Sequence, residues 1–455
     1  MVEALVLILV CFCSEFCTST DIITSTQYIK DSETIVSIGQ IFKLGFFTPV
    51  NSTNRYVGIL CNVSVVTPVW VANRNKPLND SSGIVTISED GNLVILNGQK
   101  EIIWSSNVSN PVANSSAQLL DTGNLNLRDN SSRQIIWESF QHPSDSFLQK
   151  MTIGTDAKTQ ESTLLTSWKS PLNPSVGTFS VGVEPLNIPQ LFVRNGSHPY
   201  WRSGPWNGQI FIGVPSMDSS YLNGFNLVDD KEETISLTYN YPSDQSYLLY
   251  LHLNSEGLLQ QKIWWFGGKE EWEVGCSAIE HECDVYGKCG PFGSCNSLES
   301  PICTCLRGFE PKHMNEWSRG NWSGGCIRKT PLRCERNNSV NDVGKKDGFL
   351  KLQAMKVPDF AELSSATIED NCGSLCLNNC SCIAYSYYIG IGCMQWSGSL
   401  LDIQRLPSSG VDLYIRVAYS ELGNTFCLLY HLVVNYAPIL TLKKIKNTYP
   451  LFLCV

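Results

Sequence analysis

The chain has 455 residues, enough for roughly two to four domains, and a net charge of −9 at pH 7. This acidic balance, without any cluster of basic residues, excludes nucleic acid as an expected partner. Only 16% of the residues are charged, and 12 Trp and 17 Tyr accompany 34 Gly and 21 Pro. Such a turn-rich and aromatic-rich composition favours β-structure.

Residues 1–20 are typical of a signal peptide. The apolar run from Ala4 to Cys13 is too short to span a bilayer and is followed by small residues. We therefore expect a secreted or extracellular protein. Asn-x-Ser/Thr sequons, which accept N-linked glycans in such proteins, occur at Asn51, Asn62, Asn79, Asn107, Asn114, Asn130, Asn195, Asn321, Asn337 and Asn379.

Residues 21–140 predict a β-domain built from an internal repeat. Apolar-Trp steps end at Trp70, Trp104 and Trp137, and a Gly-Asn turn precedes the second and third of them. Three such units can share one core in which each Trp fills the common axis.

The repeat resembles the bulb-type lectin domain, a three-faced β-prism. The segments that carry the resemblance are FKLGFFTP, RYVGI, VWVANRNKPLNDSSG, DGNLVIL, IWSSN, DTGNLNL and IWESFQHPSD. That family binds mannose through a Gln-x-Asp-x-Asn-x-Val-x-Tyr strand. The matching positions here are Ser88, Asp90, Asn92, Val94 and Leu96.

Two of the family's sugar-binding residue types are kept in this strand and two are lost. We therefore expect a degenerate sugar site at Asp90 and Asn92, the alternative being that both residues only form a turn beside glycine. In the third unit we expect Thr122 to be an insertion that breaks the register.

Residues 141–278 predict a succession of strands in one or two further antiparallel sheets. Polar and apolar residues alternate clearly at 178–181 and 235–239. The segment YWRSGPWNG, residues 200–208, resembles the start of the S-locus glycoprotein domain. Its aromatic side chains could stack on sugar, but we expect them to pack in a core.

The segment 279–326 is the start of a cysteine-rich half. Turn-forming residues at this density cannot supply a large core, so disulfides must replace one. A zinc site that uses Cys303, Cys305 and the pair Cys283 and Cys289 is the alternative, although zinc prefers Cys-x2-Cys spacing. The spacings resemble an EGF-like module, and this resemblance implies the pairs Cys283–Cys295, Cys289–Cys303 and Cys305–Cys326.

Residues 334–418 form a second cysteine cluster. Cys372, Cys376 and Cys380 recur every four residues, which predicts a helix with all three on one face. The segments DGFLKLQAMKVPDF, CLNNCSCIAYSYY and GCMQWSGSLLDIQ resemble the plant apple, or PAN, domain, a small α+β fold. The resemblance implies the pairs Cys372–Cys393 and Cys376–Cys382. By elimination, Cys334 and Cys380 are expected to pair.

Two further cysteines stand where the resembling families usually carry an aromatic residue. These are Cys61, which we expect to be buried and reduced, and Cys276, a second odd thiol. Residues 419–455, which include Cys427 and Cys454, depart from the family. The apolar stretch 425–442 is a candidate transmembrane segment, the alternative being a frayed terminus.

We find no catalytic constellation, metal site, cofactor motif or kinase signature in the sequence. As a whole, residues up to about 420 resemble the ectodomain of an S-domain receptor kinase or a secreted S-locus glycoprotein of plants. The resemblance implies a mainly β, multidomain protein that recognises a small cysteine-rich secreted protein, in pollen recognition or immunity. It also implies a homodimer or a co-receptor. A sugar-binding lectin with weak or lost mannose specificity is the alternative function.

Overall fold

A computed structural model describes residues 21–156, 161–214, 224–229, 234–240, 246–336, 346–366, 368–407 and 409–422. Several predicted features lie outside these residues: the signal peptide, the Asn337 sequon, the candidate transmembrane segment, Cys427 and Cys454. Within these ranges no helix is long and apolar enough to cross a membrane. The fold is mainly β and divides into unit 1, up to His142, and unit 2, from Pro143.

Unit 1 contains twelve short strands. They are β1 (Ile22–Thr24), β2 (Tyr28–Lys30), β3 (Thr34–Val36), β4 (Phe42–Phe47), β5 (Tyr56–Cys61), β6 (Thr67–Val71), β7 (Ile84–Ile87), β8 (Leu93–Leu96), β9 (Ile102–Ser105), β10 (Ser115–Leu119), β11 (Leu125–Asp129) and β12 (Ile135–Glu138). Of these, β7 and β10 show the clearest alternation between buried and less buried residues. The strands form three four-stranded antiparallel sheets with the orders β3-β4-β5-β6, β2-β7-β8-β9 and β1-β10-β11-β12. Each repeat thus supplies three consecutive strands, and one of the strands β1 to β3 completes its sheet.

Three tryptophans, one from the last strand of each sheet, meet inside unit 1. The ring centroids of Trp70, Trp104 and Trp137 lie 5.7 to 5.9 Å apart, and every pair meets edge to face. Each aromatic pair of this kind is worth about 0.5–1.5 kcal/mol beyond the area it buries. The common tryptophan axis predicted from the repeat is therefore confirmed.

Residues 146–277 of unit 2 form three more four-stranded sheets. Their strands are β13 (Ser146–Phe147), β14 (Thr152–Asp156), β15 (Glu161–Thr163), β16 (Leu165–Ser170), β17 (Asn173–Glu184), β18 (Gln190–Asn195), β19 (His198–Arg202), β20 (Phe225–Asp229), β21 (Thr234–Tyr239), β22 (Tyr247–Leu253), β23 (Leu259–Trp265) and β24 (Glu273–Ser277). The sheet orders are β13-β22-β23-β24, β15-β14-β21-β20 and β16-β17-β18-β19. The prediction of one or two sheets is wrong, because strands such as β13 and β15 are too short to show an alternating pattern.

The two tryptophans of the YWRSGPWNG segment lie in the core, as predicted, whereas Tyr200 is partly exposed. Trp201 and Trp206 are 4% and 8% exposed. Only residues up to Arg202 belong to a strand, and the chain then turns back.

The rest of unit 2 joins the two cysteine-rich segments into one sheet. Its strands are β25 (Gly293–Cys295), β26 (Cys303–Cys305), β27 (Phe309–Pro311), β28 (Cys326–Arg328), β29 (Gly348–Lys356), β30 (Glu362–Leu363), β31 (Cys382–Tyr388), β32 (Gly392–Ser397), β33 (Ile403–Arg405) and β34 (Val411–Val417). Strands β27 and β28 form a hairpin, and the other eight form a sheet with the order β26-β25-β33-β29-β34-β31-β32-β30. Since β25 pairs in parallel with β33, the hairpin β25–β26 extends the sheet of the C-terminal segment.

Helices are short and few among the described residues. They are α1 (Met314–Trp317), α2 (Glu369–Asn378) and α3 (Tyr419–Leu422), with 3-10 turns at Ser139–Gln141, Glu282–Asp284 and Arg333–Glu335.

The helix α2 is the one that the cysteine spacing predicts, but it ends earlier than expected. Cys372 and Cys376 are buried on it, whereas Cys380 lies beyond its last residue and is exposed. The guanidinium of Arg416 accounts for this end, because its Nη1 donates to the carbonyls of Cys376 and Asn379 at 3.2 and 2.8 Å. The expectation that all three cysteines share a helix face is therefore wrong.

Candidate functional site: a degenerate sugar turn and a buried ionic junction

The turn before β8 holds the two residues of the expected sugar site. The Asp90 carboxylate accepts from the Ser88 hydroxyl, from the Asn92 backbone N–H at 3.2 Å and from Asn92 Nδ2 at 2.9 Å. These bonds, first the one from Ser88 and then those from Asn92, hold the pKa of Asp90 below its ordinary value. Between the two residues, Gly91 has φ +89, and a Cβ there would lie 1.9 Å from the Val112 carbonyl oxygen.

The side chain of Asn92 forms three hydrogen bonds inside the protein. Its Nδ2 donates to Asp90, and its Oδ1 accepts from Ser106 Oγ at 3.0 Å and from the Val108 N–H at 2.8 Å. Asn92 is also 7% exposed. An amide in this state has neither the exposure nor the spare oxygen lone pairs that recognition of sugar hydroxyls requires.

The third repeat contains the same arrangement without the aspartate. Asn124 Oδ1 accepts from Ser139 Oγ at 3.1 Å and from the Phe140 N–H at 3.2 Å, as Asn92 does with its own partners. The backbone N–H of Asn124 donates to the Thr122 hydroxyl at 3.3 Å, where Asn92 uses Asp90. Thr122 therefore takes the place of Asp90 in the turn, and the expected insertion that breaks the register is wrong. The asparagine thus has one role in both repeats, which is to bind the turn to the segment that follows the last strand of its sheet.

Six disulfides join pairs of described cysteines in unit 2, with Cα–Cα distances of 5.2 to 5.9 Å, inside the usual range for this bond. The pairs are Cys283–Cys295, Cys289–Cys303, Cys305–Cys326, Cys334–Cys380, Cys372–Cys393 and Cys376–Cys382. They are the pairs expected from the sequence. The zinc alternative is wrong, since Cys303 and Cys305 are both bonded to sulfur.

The two described cysteines outside these pairs, Cys61 and Cys276, differ in whether they are disulfide-bonded. Cys61 is free and buried on β5, and burial raises the pKa of its thiol. Cys276 is disulfide-bonded, so the expectation of a second odd thiol is wrong. A cysteine in place of an aromatic residue is therefore not by itself a sign of a free thiol.

A buried ionic cluster, here called the junction, connects three segments of unit 2. Its charged members are Arg202 of β19, Lys356 of β29, Asp359 and Asp402, each at most 6% exposed. Arg202 Nε donates to Asp402 Oδ2 at 2.7 Å, and Lys356 Nζ lies 3.3 Å from the same oxygen. Two cations thus share the Asp402 carboxylate, while Asp359 accepts from Gln190 Nε2 at 3.1 Å.

Hydrogen bonds satisfy the remaining groups of the junction. The Arg202 guanidinium also donates to the carbonyls of Val357 and Asp402 at 2.6 and 2.9 Å and to Gln190 Oε1 at 2.9 Å. From the cysteine-rich segment, the Gly287 N–H donates to Asp402 Oδ1 at 2.9 Å and Tyr286 Oη donates to Asp359 Oδ2 at 2.7 Å. Segments that are far apart in the chain are therefore held at one point.

Burial shapes the ionisation of this cluster. It lowers the pKa of Lys356, although Asp402 opposes the shift. Burial also acts to raise the pKa of Asp402, but Lys356 and Arg202 outweigh it, and the pKa lies below its ordinary value. Burial and the Asp359 carboxylate raise the pKa of Tyr286, which keeps its hydroxyl proton on the bond to Asp359.

Comparison with known families accounts for most of the described chain. A family described as D-mannose binding lectin matches residues 67–169, the S-locus glycoprotein domain matches 201–313, and the PAN-like domain matches 334–403. Two G-type lectin S-receptor-like serine/threonine-protein kinases of Arabidopsis thaliana, one of them SD1-13, are 45% and 46% identical over 92% of this chain. The chain belongs to the G-type lectin S-domain family. It spans about half the length of these relatives, 51% of each.

The S-domain chain is also similar to solved lectins over about a quarter of its length. A monomeric mannose-binding lectin from Gastrodia elata is 22% identical and covers 26% of this chain and 96% of its own, with a TM-score of 0.21. The mannose-specific agglutinin from snowdrop bulbs is 19% identical, with coverages of 24% and 87% and a TM-score of 0.19.

The sequons of this S-domain protein lie at its surface wherever the structure describes them. Asn62 is half-buried and the other described acceptors are exposed. Exposure of the acceptor amide is what attachment of a bulky, solvated glycan requires.

Sequence reasoning about this S-domain protein missed the junction. Arg202 and Asp402 are 200 residues apart, and neither belongs to a motif for a site. One usable signal was present: Arg202 lies inside an aromatic core segment, where a charge is expected only with a partner.

Proposed function

We propose that this chain is an extracellular recognition protein that binds a secreted protein ligand rather than a sugar. The observation that carries the proposal is the state of Asn92, whose side-chain amide is buried and bonded to Asp90, Ser106 and Val108. Unit 1 then serves as a rigid scaffold, since recognition by such folds rests on the loops between strands.

The ligand class in this proposal is a small cysteine-rich secreted protein, acting in pollen recognition or immune signalling. This class comes from the family resemblance. The proposed location is the extracellular space or the outer face of the plasma membrane, which suits the disulfide-braced unit 2 and the exposed sequons. The domains described here are not assigned the kinase activity that the relatives' names state.

The decisive experiment separates a protein ligand from a sugar. The purified, glycosylated chain is titrated with mannose in a calorimeter and is also offered immobilised cysteine-rich secreted peptides, each with a reduced and alkylated copy as the control. We expect binding to a folded peptide and no saturable heat with mannose, because a hydroxyl-binding site loses its discrimination when its polar groups are missing. Saturable mannose binding that disappears in Asp90→Ala would instead favour the lectin function.

A further inference from the structure

A groove of about 390 Å³ lies between the hairpin β25–β26 and the strand β29. This volume lies within the roughly 300–1,000 Å³ that is typical of ligand sites. Its walls come from the cysteine-rich segment and from the C-terminal sheet of unit 2, at some distance in the chain from the Asp90 turn. Nothing in the sequence motifs points to it.

The groove is cationic although the chain as a whole is acidic. Arg307, Lys351 and Arg405 line it together with a single carboxylate, that of Glu299. Lys351 Nζ lies 2.6 Å from Asp412, and Glu299 accepts from Asn296 at 2.8 Å.

The two arginines of the groove are the uncommitted charges. Both are exposed, and within the described ranges neither Arg307 nor Arg405 forms an ion pair or a side-chain hydrogen bond. Planar guanidinium groups bind carboxylates through two parallel hydrogen bonds. Two such groups on one groove therefore select an anionic ligand.

The opposite wall is the edge of a strand and not its face. Lys351, Leu352 and Gln353 line the groove in succession, whereas a face would present only every second residue. On this edge β33 pairs with β29 only at Met355 and Lys356, while β34 covers the other edge. The stretch from Gly348 to Gln353 thus has no neighbouring strand here among the described residues, and open edges accept extended peptides.

We propose that this groove binds an acidic peptide segment of a protein partner in an extended conformation. The peptide backbone adds as a strand beside residues 351–353, and its carboxylates accept from the guanidiniums of Arg307 and Arg405. Leu306, Leu352 and Met355 supply the apolar part of the groove lining, beside which the side chains between these carboxylates lie. The inference rests on the proposed function, because it supplies the surface and the chemistry for a protein ligand.

The test uses the full chain and a fluorescein-labelled peptide of alternating Glu and Val, followed by fluorescence polarisation. We expect saturable binding that the double variant Arg307→Gln, Arg405→Gln weakens at least about tenfold, since each charge-assisted contact contributes about that much. The matched control is Arg133→Gln, Arg319→Gln, which removes the same charge from exposed positions outside the groove. This control should leave the affinity within about twofold. Equal weakening by both double variants would overturn the proposal, because the attraction would then come from net charge alone.

Two further probes separate a peptide from another anion. A peptide with the same sequence but N-methylated at alternate residues keeps its charge and loses backbone donors, so we expect much weaker binding. Trigalacturonic acid carries carboxylates on a sugar backbone and should not compete. If the methylated peptide binds equally well, or if the sugar acid competes fully, the groove is not a strand-addition site and the proposal is wrong.

The outcome is distinguishable from failure of the proposed function. If the unchanged chain and the Arg307→Gln, Arg405→Gln variant bind a cysteine-rich secreted peptide equally well, the proposed function is supported and the groove proposal is wrong. Should the Glu-Val peptide bind through these arginines while no secreted peptide binds, the groove stands and the proposed ligand class falls.

Discussion

Replacing Arg202 with methionine should loosen the contact between three segments of unit 2. Methionine fills a similar volume but cannot donate, so the change removes the bond to Asp402 and the bonds to two carbonyls and Gln190. Removing one partner of a buried ion pair costs about 3–5 kcal/mol. Because Lys356 Nζ still lies 3.3 Å from Asp402 and pairs with its charge, we expect the loss in free energy of unfolding to be at the low end of this range, about 3 kcal/mol.

The matched control is Arg194→Met on the neighbouring strand. Arg194 is paired with Glu184, but both side chains are partly exposed, at 31% and 25%. An ion pair in that position contributes about 0–1 kcal/mol. The two substitutions make the same chemical change, and their effects on the free energy of unfolding should differ by about 2 kcal/mol or more.

Hydrogen exchange measured by mass spectrometry can read this difference locally, since several domains need not unfold in one step. Peptides that contain Gly287 and Phe360 report on the junction, because both backbone N–H groups donate to its carboxylates. A loss of about 3 kcal/mol speeds exchange there about a hundredfold, while unit 1 should be unchanged. An acceleration of less than tenfold, or an equal effect of Arg194→Met, would refute the reasoning.

Three other predictions concern the cysteines and the response to pH. Reduction of the disulfides should unfold residues 276–418 and leave 21–140 folded, because each disulfide contributes about 2–4 kcal/mol to the free energy of unfolding and unit 1 contains none among its described residues. Equal loss of exchange protection in both parts would contradict this. Cys61 should resist iodoacetamide in the native chain and react only after denaturation, since burial raises the pKa of its thiol and suppresses the thiolate; rapid native labelling would count against it. Acid should destabilise unit 2. The pKa of Asp402 in the folded chain lies below its ordinary value, so the ionised carboxylate stabilises the fold above about pH 4, and this stabilisation is lost as the pH falls through the folded pKa. If the denaturation midpoint of Asp402→Asn keeps the full pH dependence, this residue is not responsible.

Local patterns in the sequence predicted much of this molecule. The spacing of Trp70, Trp104 and Trp137 reveals the repeat, because each residue occupies the same position in its own unit. Likewise, the apple-domain resemblance implies Cys372–Cys393, which the structure contains.

Features that depend on contacts distant in sequence could not be predicted. The Arg416 guanidinium that binds the end of α2 comes from about forty residues further along the chain, so the cysteine spacing does not reveal it. Thr122 reads as an insertion because its hydroxyl does not resemble a carboxylate, although both accept the same backbone hydrogen bond. The groove beside Arg307 arises only where two segments meet in space.

The tryptophan centre of unit 1 constrains how such a fold can change during evolution. In a solenoid each repeat touches only its neighbours, so copies can be gained or lost one at a time. Here every indole contacts both others, and removing one repeat would expose the remaining two. Duplication is therefore tolerated only for the whole set of three. The next segment of the chain, residues 146–277, again contains three four-stranded sheets, the number that copying a complete set would give.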